Sequence, residues 1–260
     1  MSFRDIVVYL DAGANTANRV GTAIELATRY RARLIGVDIS TKAAFEGERH
    51  NAARAIKQEF VAALQGKHIE FEYRSAPPDA RSAQQLFSHC ADLLIATQRN
   101  PDDRDLSNSS VPEEVLLSAG VPMLVLPTGW SSENPIGKSV VVAWNFSREA
   151  TRALHDAMPI LKKAQKVFLF VFAPDYSHDD RGVQDTKAHL ERHGVRVTLA
   201  GWRDDGETDM TTALFAGLDR EDADLIVCGA YGHSPLAEAL FGGATKVLLN
   251  NISMPVLMSH

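Results

Sequence analysis

The chain has 260 residues, 45% of them hydrophobic, and a formal net charge of -6. That is enough for one large domain or two ordinary ones, and the acidic balance argues against nucleic acid or an anionic membrane as partner. No apolar run approaches the roughly 20 residues of a membrane helix, no basic segment followed by an apolar core stands at the start, and Cys90 and Cys228 read as buried free thiols, so a cytoplasmic setting is expected.

Taken in order, Ile6–Leu10 reads as a strand ending at Asp11, and Asn18–Tyr30 as a helix through Val20, Ile24 and Ala27. A strand over Leu34–Val37 follows, then a helix from about Ala43 to Leu64 on the four-residue recurrence of Ala52, Ile56, Phe60 and Leu64. Ile69–Tyr73 alternates as a strand. Pro77-Pro78 breaks the chain before a helix over Ala83–Cys90 and a strand over Asp92–Ala96. Thr97–Ser110 is polar and acidic and reads as a loop. A short helix over Pro112–Ala119 precedes a strand over Pro122–Pro127, and Thr128–Pro135 has linker composition.

The pattern then repeats. Strands are expected over Ser139–Trp144, Val167–Phe172, Val195–Leu199, Asp222–Val227 and Val256–Met258. Helices are expected over Arg148–Leu161, Thr186–His193, Met210–Leu218 and around Val247–Leu249. Ala91–Ile95 answers Ala223–Val227, and Gly120–Val125 answers Ile252–Leu257. Each half is therefore a strand–helix alternation of ordinary domain size, which implies a doubly wound parallel sheet with helices on both faces and ligands at the strands' carboxyl ends. The expected domains are residues 1–130 and 135–260.

The stretch after the second half's fourth strand carries Gly229, Gly232, Gly242 and Gly243 before a helix. Strand, glycine loop and helix start can cradle phosphate, because helix-start N–H groups lack intrahelical partners and glycine admits close approach. A turn that merely needs glycine conformations is the plainer reading of the same residues. Gly137-Lys138-Ser139 is not a P-loop, since Ser132 stands where the first glycine belongs and the segment leads into a strand. His189 and His193 have a spacing that can bind zinc, but no Glu stands where a metalloprotease needs it. They read as a solvated helix end.

At these residues the chain resembles the universal stress protein family, as a tandem member. Gly229, Gly232 and Gly242 match the Gly, two residues, Gly, nine residues, Gly spacing of its nucleotide-binding members, and Gly-Ala-Tyr-Gly-His-Ser is typical of tandem bacterial members. The resemblance implies two Rossmann-like, adenine nucleotide alpha-hydrolase-like domains, each a five-stranded parallel sheet of order 3-2-1-4-5. It implies ATP, with Mg²⁺ as a companion, in the second domain. Gly229 and Gly232 would flank ribose and phosphates, while Gly242, Gly243, Ala244 and Thr245 would offer them N–H groups. Ala143 and Asn145 at the first strand's end, with Val171 on the second strand, would bracket the adenine. His233 would hydrogen-bond within the loop or to a phosphate.

Departures from the family pattern are Asn145 in place of Asp, and Gly243 in place of Ser or Thr. The first half keeps Asp11 but has Thr97–Asp105, with no glycine, where the loop belongs, so its site is expected to be degenerate. A nucleotide-binding stress-response protein and an interaction scaffold with an empty loop are both open readings. Any hydrolysis would be slow, as no general base is legible. The resemblance also implies pairing of Met123–Leu126 with Val256–Leu257 as an intrachain pseudo-dimer, with a homodimer left open.

Overall fold

The computed structural model describes residues 2–39, 46–75, 88–98, 113–172, 177–202, 222–230 and 252–260. The chain divides into two compact units, Met1–Asn134 with Val247–Ser253, and Pro135–Lys246 with Met254–His260.

In the first unit the elements are β1 (Asp5–Leu10), α1 (Thr16–Tyr30), β2 (Arg33–Asp38), α2 (Glu46–Leu64), β3 (Phe71–Ser75), β4 (Leu93–Thr97), α3 (Glu113–Ser118) and β5 (Met123–Leu126). The strands pair in parallel in the order β3-β2-β1-β4-β5. β1, β4 and β5 are almost entirely buried, as apolar runs covered on both faces must be. Gly36 in β2 lets α2 lie close: a Cβ there would stand 2.7 Å from the Phe60 ring.

The second unit repeats the plan with β6 (Ser139–Trp144), α4 (Arg148–Asp156), α5 (Met158–Leu161), β7 (Lys166–Phe172), α6 (Arg181–Arg192), β8 (Val197–Trp202), β9 (Leu225–Gly229) and β10 (Val256–Ser259). Its parallel order is β8-β7-β6-β9-β10. Counted from each unit's own first strand, both sheets have the expected order 3-2-1-4-5.

One carboxylate in each unit ties the start of the first strand to the start of the fourth. Asp92 accepts the N–H groups of Arg4 and Asp5 at 2.7 and 3.0 Å. Asp224 accepts those of Gly137, Lys138 and Ser139, the shortest at 2.8 Å. The N–H groups of the rejected P-loop segment are thus turned onto a carboxylate, which leaves them no role toward phosphate.

Several expectations are corrected. The helix drawn over Arg148–Leu161 breaks at Ala157 into α4 and α5, because Pro159 has no N–H to donate and its ring crowds the preceding turn. α6, which contains the Thr186 stretch expected to be helical, begins earlier, at Arg181, where the Asp180 carboxylate accepts the Val183 N–H. β3 and β8 start two residues later than expected. Thr97 belongs to β4 rather than to a loop. Cys228 is buried, which pushes its thiol up to about 12, but Cys90 is exposed. The segment of linker composition is pinned to α1: Trp130 Nε1 donates to Thr22 Oγ1 at 3.2 Å, Gly129 N–H to Asn15 Oδ1 at 3.1 Å and Ser132 N–H to Asn18 Oδ1 at 3.2 Å. Residues 43–45, most of the expected helix over 83–90, the rest of the acidic loop and the helices over 210–218 and 247–249 lie outside the described residues.

Replacing Asp224 by Ala strands three N–H groups at the β6 entrance at once. The expected loss is about 1.5–3 kcal/mol of stability, read as a lower denaturant midpoint with an unchanged m-value.

Candidate functional site

The carboxyl end of the first strand is built alike in both units, and its purpose is to turn the chain into a helix. In the first unit Asp11 Oδ1 accepts the Gly13 N–H at 2.6 Å, and in the second Asn145 Oδ1 accepts the Ser147 N–H at 3.2 Å. The side chain mimics a backbone turn, for which any carbonyl-type oxygen suffices. The Asp-to-Asn difference is therefore neutral toward the turn. Ser147 then caps α4, its Oγ accepting the Ala150 N–H at 3.1 Å. Phe146, between turn and cap, adopts a left-handed φ of 61° and is 47% exposed.

What fills the space above the strand ends differs between the units. In the first, Arg19 reaches in from α1 and is 1% exposed. Its Nη2 meets Asp11 Oδ2 at 2.6 Å, its Nη1 donates to Thr97 Oγ1 at 2.7 Å and its Nε to the Tyr9 carbonyl at 2.7 Å. Thr16 Oγ1 donates to Asp11 Oδ1 at 2.7 Å. Burial lowers the guanidinium's pKa and Asp11 opposes that; the group stays charged. The first unit thus holds its own cation where β1 and β4 diverge, the usual ligand position in such sheets.

Placed at the same steps from the strand end, Arg19 corresponds to Ala153 and Thr97 to Gly229. The second unit has lost cation, hydroxyl and carboxylate together. Gly229 is buried beneath α4: a Cβ there would stand 2.5 Å from the Glu149 carbonyl carbon and 2.6 Å from the Ala150 nitrogen. These are backbone atoms, so packing alone demands glycine.

Of the other expected site residues, Ala143 is partly open and Asn145 half-buried, and among the described residues the Asn145 amide nitrogen has no partner. Val171 is fully buried opposite Trp144. The indole nitrogen of Trp144 is buried without a hydrogen-bond partner among the described residues. Gly232, His233, Gly242, Gly243, Ala244 and Thr245 lie outside the described residues. The Arg19 network escaped the sequence reading because its partners are spread from Tyr9 to Thr97. A lone Arg in a helix's apolar stripe was its one signal.

The geometry defines a doubly wound parallel α/β protein built twice over. The universal stress protein family model matches residues 203–260. A universal stress protein of Mycolicibacterium smegmatis (strain ATCC 700084 / mc(2)155) is 33% identical over 75 residues, 29% of this chain and 55% of that protein. The chain spans about half the length of that curated relative. A solved universal stress protein from Archaeoglobus fulgidus DSM 4304 has a TM-score of 0.74 at 16% identity, covering 98% of this chain and 95% of its own. A functionally unknown protein from Pseudomonas aeruginosa PAO1 has a TM-score of 0.57 at 13% identity, covering 99% and 92%. Residues 203–260 are thus similar to the universal stress protein family, and the fold across nearly the whole length is one that a solved universal stress protein has.

Two substitutions probe the strand ends. Arg19→Ala leaves Asp11 buried and unpaired and is expected to cost about 3–5 kcal/mol; adding Asp11→Asn recovers part of it, as equilibrium unfolding will read. Gly229→Val forces α4 away from β9 at an expected cost of about 1–3 kcal/mol, by the same measurement and without any ligand.

Proposed function

We propose that the second unit binds an adenine nucleotide, ATP with Mg²⁺ being the form to test, and that binding regulates the protein in a cytoplasmic stress response. The observation that carries this reading is the spacing of Gly229, Gly232 and Gly242 after a buried fourth strand. The described residues fit an adenine at the strand end. Ala143 is partly open, Asn145 has an unengaged amide nitrogen among the described residues, and the Phe146 ring is exposed beside them. Asn145 and Gly243 remove one charge and one hydroxyl relative to the family pattern, each costing on the order of 1 kcal/mol of affinity. The first unit takes no nucleotide in this reading, since Arg19, Asp11 and Thr16 occupy its strand-end space. The working boundary between nucleotide-free and nucleotide-binding domains is residues 131–134.

A second reading has its own support. Because packing against α4 already accounts for Gly229, the glycine loop can persist in a scaffold that binds proteins and no nucleotide.

Calorimetric titration of the full chain with ATP and Mg²⁺ separates the two. The expected result is saturable heat that a bulky substitution at Gly232 abolishes. No heat and no thermal shift at millimolar ATP would instead establish the scaffold.

A further inference from the structure

α4 and α6 are consecutive crossovers in the same direction, so right-handedness puts them side by side on one face of their sheet. They touch through three imidazoles. The His155 ring on α4 lies 5.3 Å from that of His189 on α6, and the His189 ring lies 4.7 Å from that of His193 at the α6 C-cap. His155 Nδ1 is 2.9 Å from the Thr151 carbonyl, which can only accept, so this nitrogen carries its proton toward α4. The Nε2 atom of His189 is buried with no hydrogen-bond partner among the described residues. His155 and His193 are exposed, as a solvated helix end requires, and the half-buried His189 ring lies between them. Among the described residues no three His, Cys, Asp or Glu are placed to hold a metal ion.

Among the described residues of α4 and α6, no carboxylate stands without a basic partner: Glu149 pairs with Arg148, Asp156 with Arg152, Asp185 with Arg181 and Glu191 with Lys187. β8, on which α6 packs, carries no ionisable side chain, and β7 has only Lys166, at its amino end. The groups acting on His189 are His155, His193 and Arg192, all basic. At their other ends the two helices meet again, where Gly182 in the first turn of α6 lies against the Phe146 ring. That ring belongs to the Asn145–Ser147 turn that starts α4.

We propose that His155, His189 and His193 form a proton-sensitive clasp: neutral, it holds α6 on α4, and on acidification it releases α6 and with it the support beneath the Phe146 turn. A proton on His189 would place a cation against two imidazoles and near Arg192, with no unpaired carboxylate on α4 or α6 to meet it. The carboxyl end of α6 favours a cation, but burial and the three basic neighbours outweigh it and hold His189 below its ordinary value of 6.5. The released helix therefore binds protons more readily than the docked one. Docking is at full strength above the ordinary histidine range and weakens as pH falls through and below it.

The test is hydrogen exchange on the full chain from about pH 7.5 to about pH 5.5, expressed as protection factors so that intrinsic exchange cancels, with imidazole NMR titration alongside. Protection over residues 181–192 is expected to fall several-fold while β6 and β7 hold, and His189→Leu is expected to remove that dependence. Constant protection of α6 in the parent protein overturns the clasp, as does an undiminished fall in His189→Leu. Should that variant not fold, His155→Gln and His193→Gln decide: each removes a basic neighbour and is expected to raise the His189 midpoint. A midpoint unmoved in both overturns the proposal.

Discussion

The turn at the carboxyl end of the first strand is the constraint on which each unit depends. A parallel strand must hand the chain to a helix lying across its own sheet, and it must do so within a few residues. Asp11 and Asn145 accomplish this by accepting an N–H two residues on, so that the peptide swings away from the strand axis. The starts of α1 and α4 follow from it, and with them the positions of Arg19 and Ala153. The amino end of the same strand is fixed separately, by Asp92 or Asp224 gathering its N–H groups. Each first strand is thus held by a side-chain oxygen at both ends, and the apolar residues between them are free to serve packing alone.

Much of this plan was legible because it rests on local pattern. The β6 bounds Ser139–Trp144 agree with the sequence reading to the residue, and β1, β2, β4, β5 and β10 nearly so, since buried apolar runs bounded by polar residues have few alternatives. The family resemblance was legible from the repeat and the glycine spacing, and it implied the 3-2-1-4-5 order that both units have. Where reading failed, the deciding contact was remote or hidden in a polar run. Asp180 caps α6 from within Ser-His-Asp-Asp, where each residue looks like loop. Trp130 reads as linker until its indole finds Thr22 on α1. His155 is unremarkable until α6 sets His189 beside it.

The candidate site was legible only in outline. Its glycine spacing is visible, but spacing does not distinguish a residue needed by a ligand from one needed by a neighbouring helix. At Gly229 the neighbour is backbone of α4, so the site and the core make the same demand of one position. At Asn145 the turn requires an oxygen and is indifferent to charge.

The paired substitutions between the units carry an evolutionary consequence. Asp11, Arg19 and Thr97 in one copy stand against Asn145, Ala153 and Gly229 in the other. Changing Asp11 or Arg19 alone leaves a buried guanidinium or carboxylate unpartnered, and giving Gly229 a side chain drives it into a helix backbone. Asp11 and Arg19 are therefore epistatic, and single steps at either, or at Gly229, are uphill. After duplication the two strand ends could drift apart in concert far more easily than either could revert.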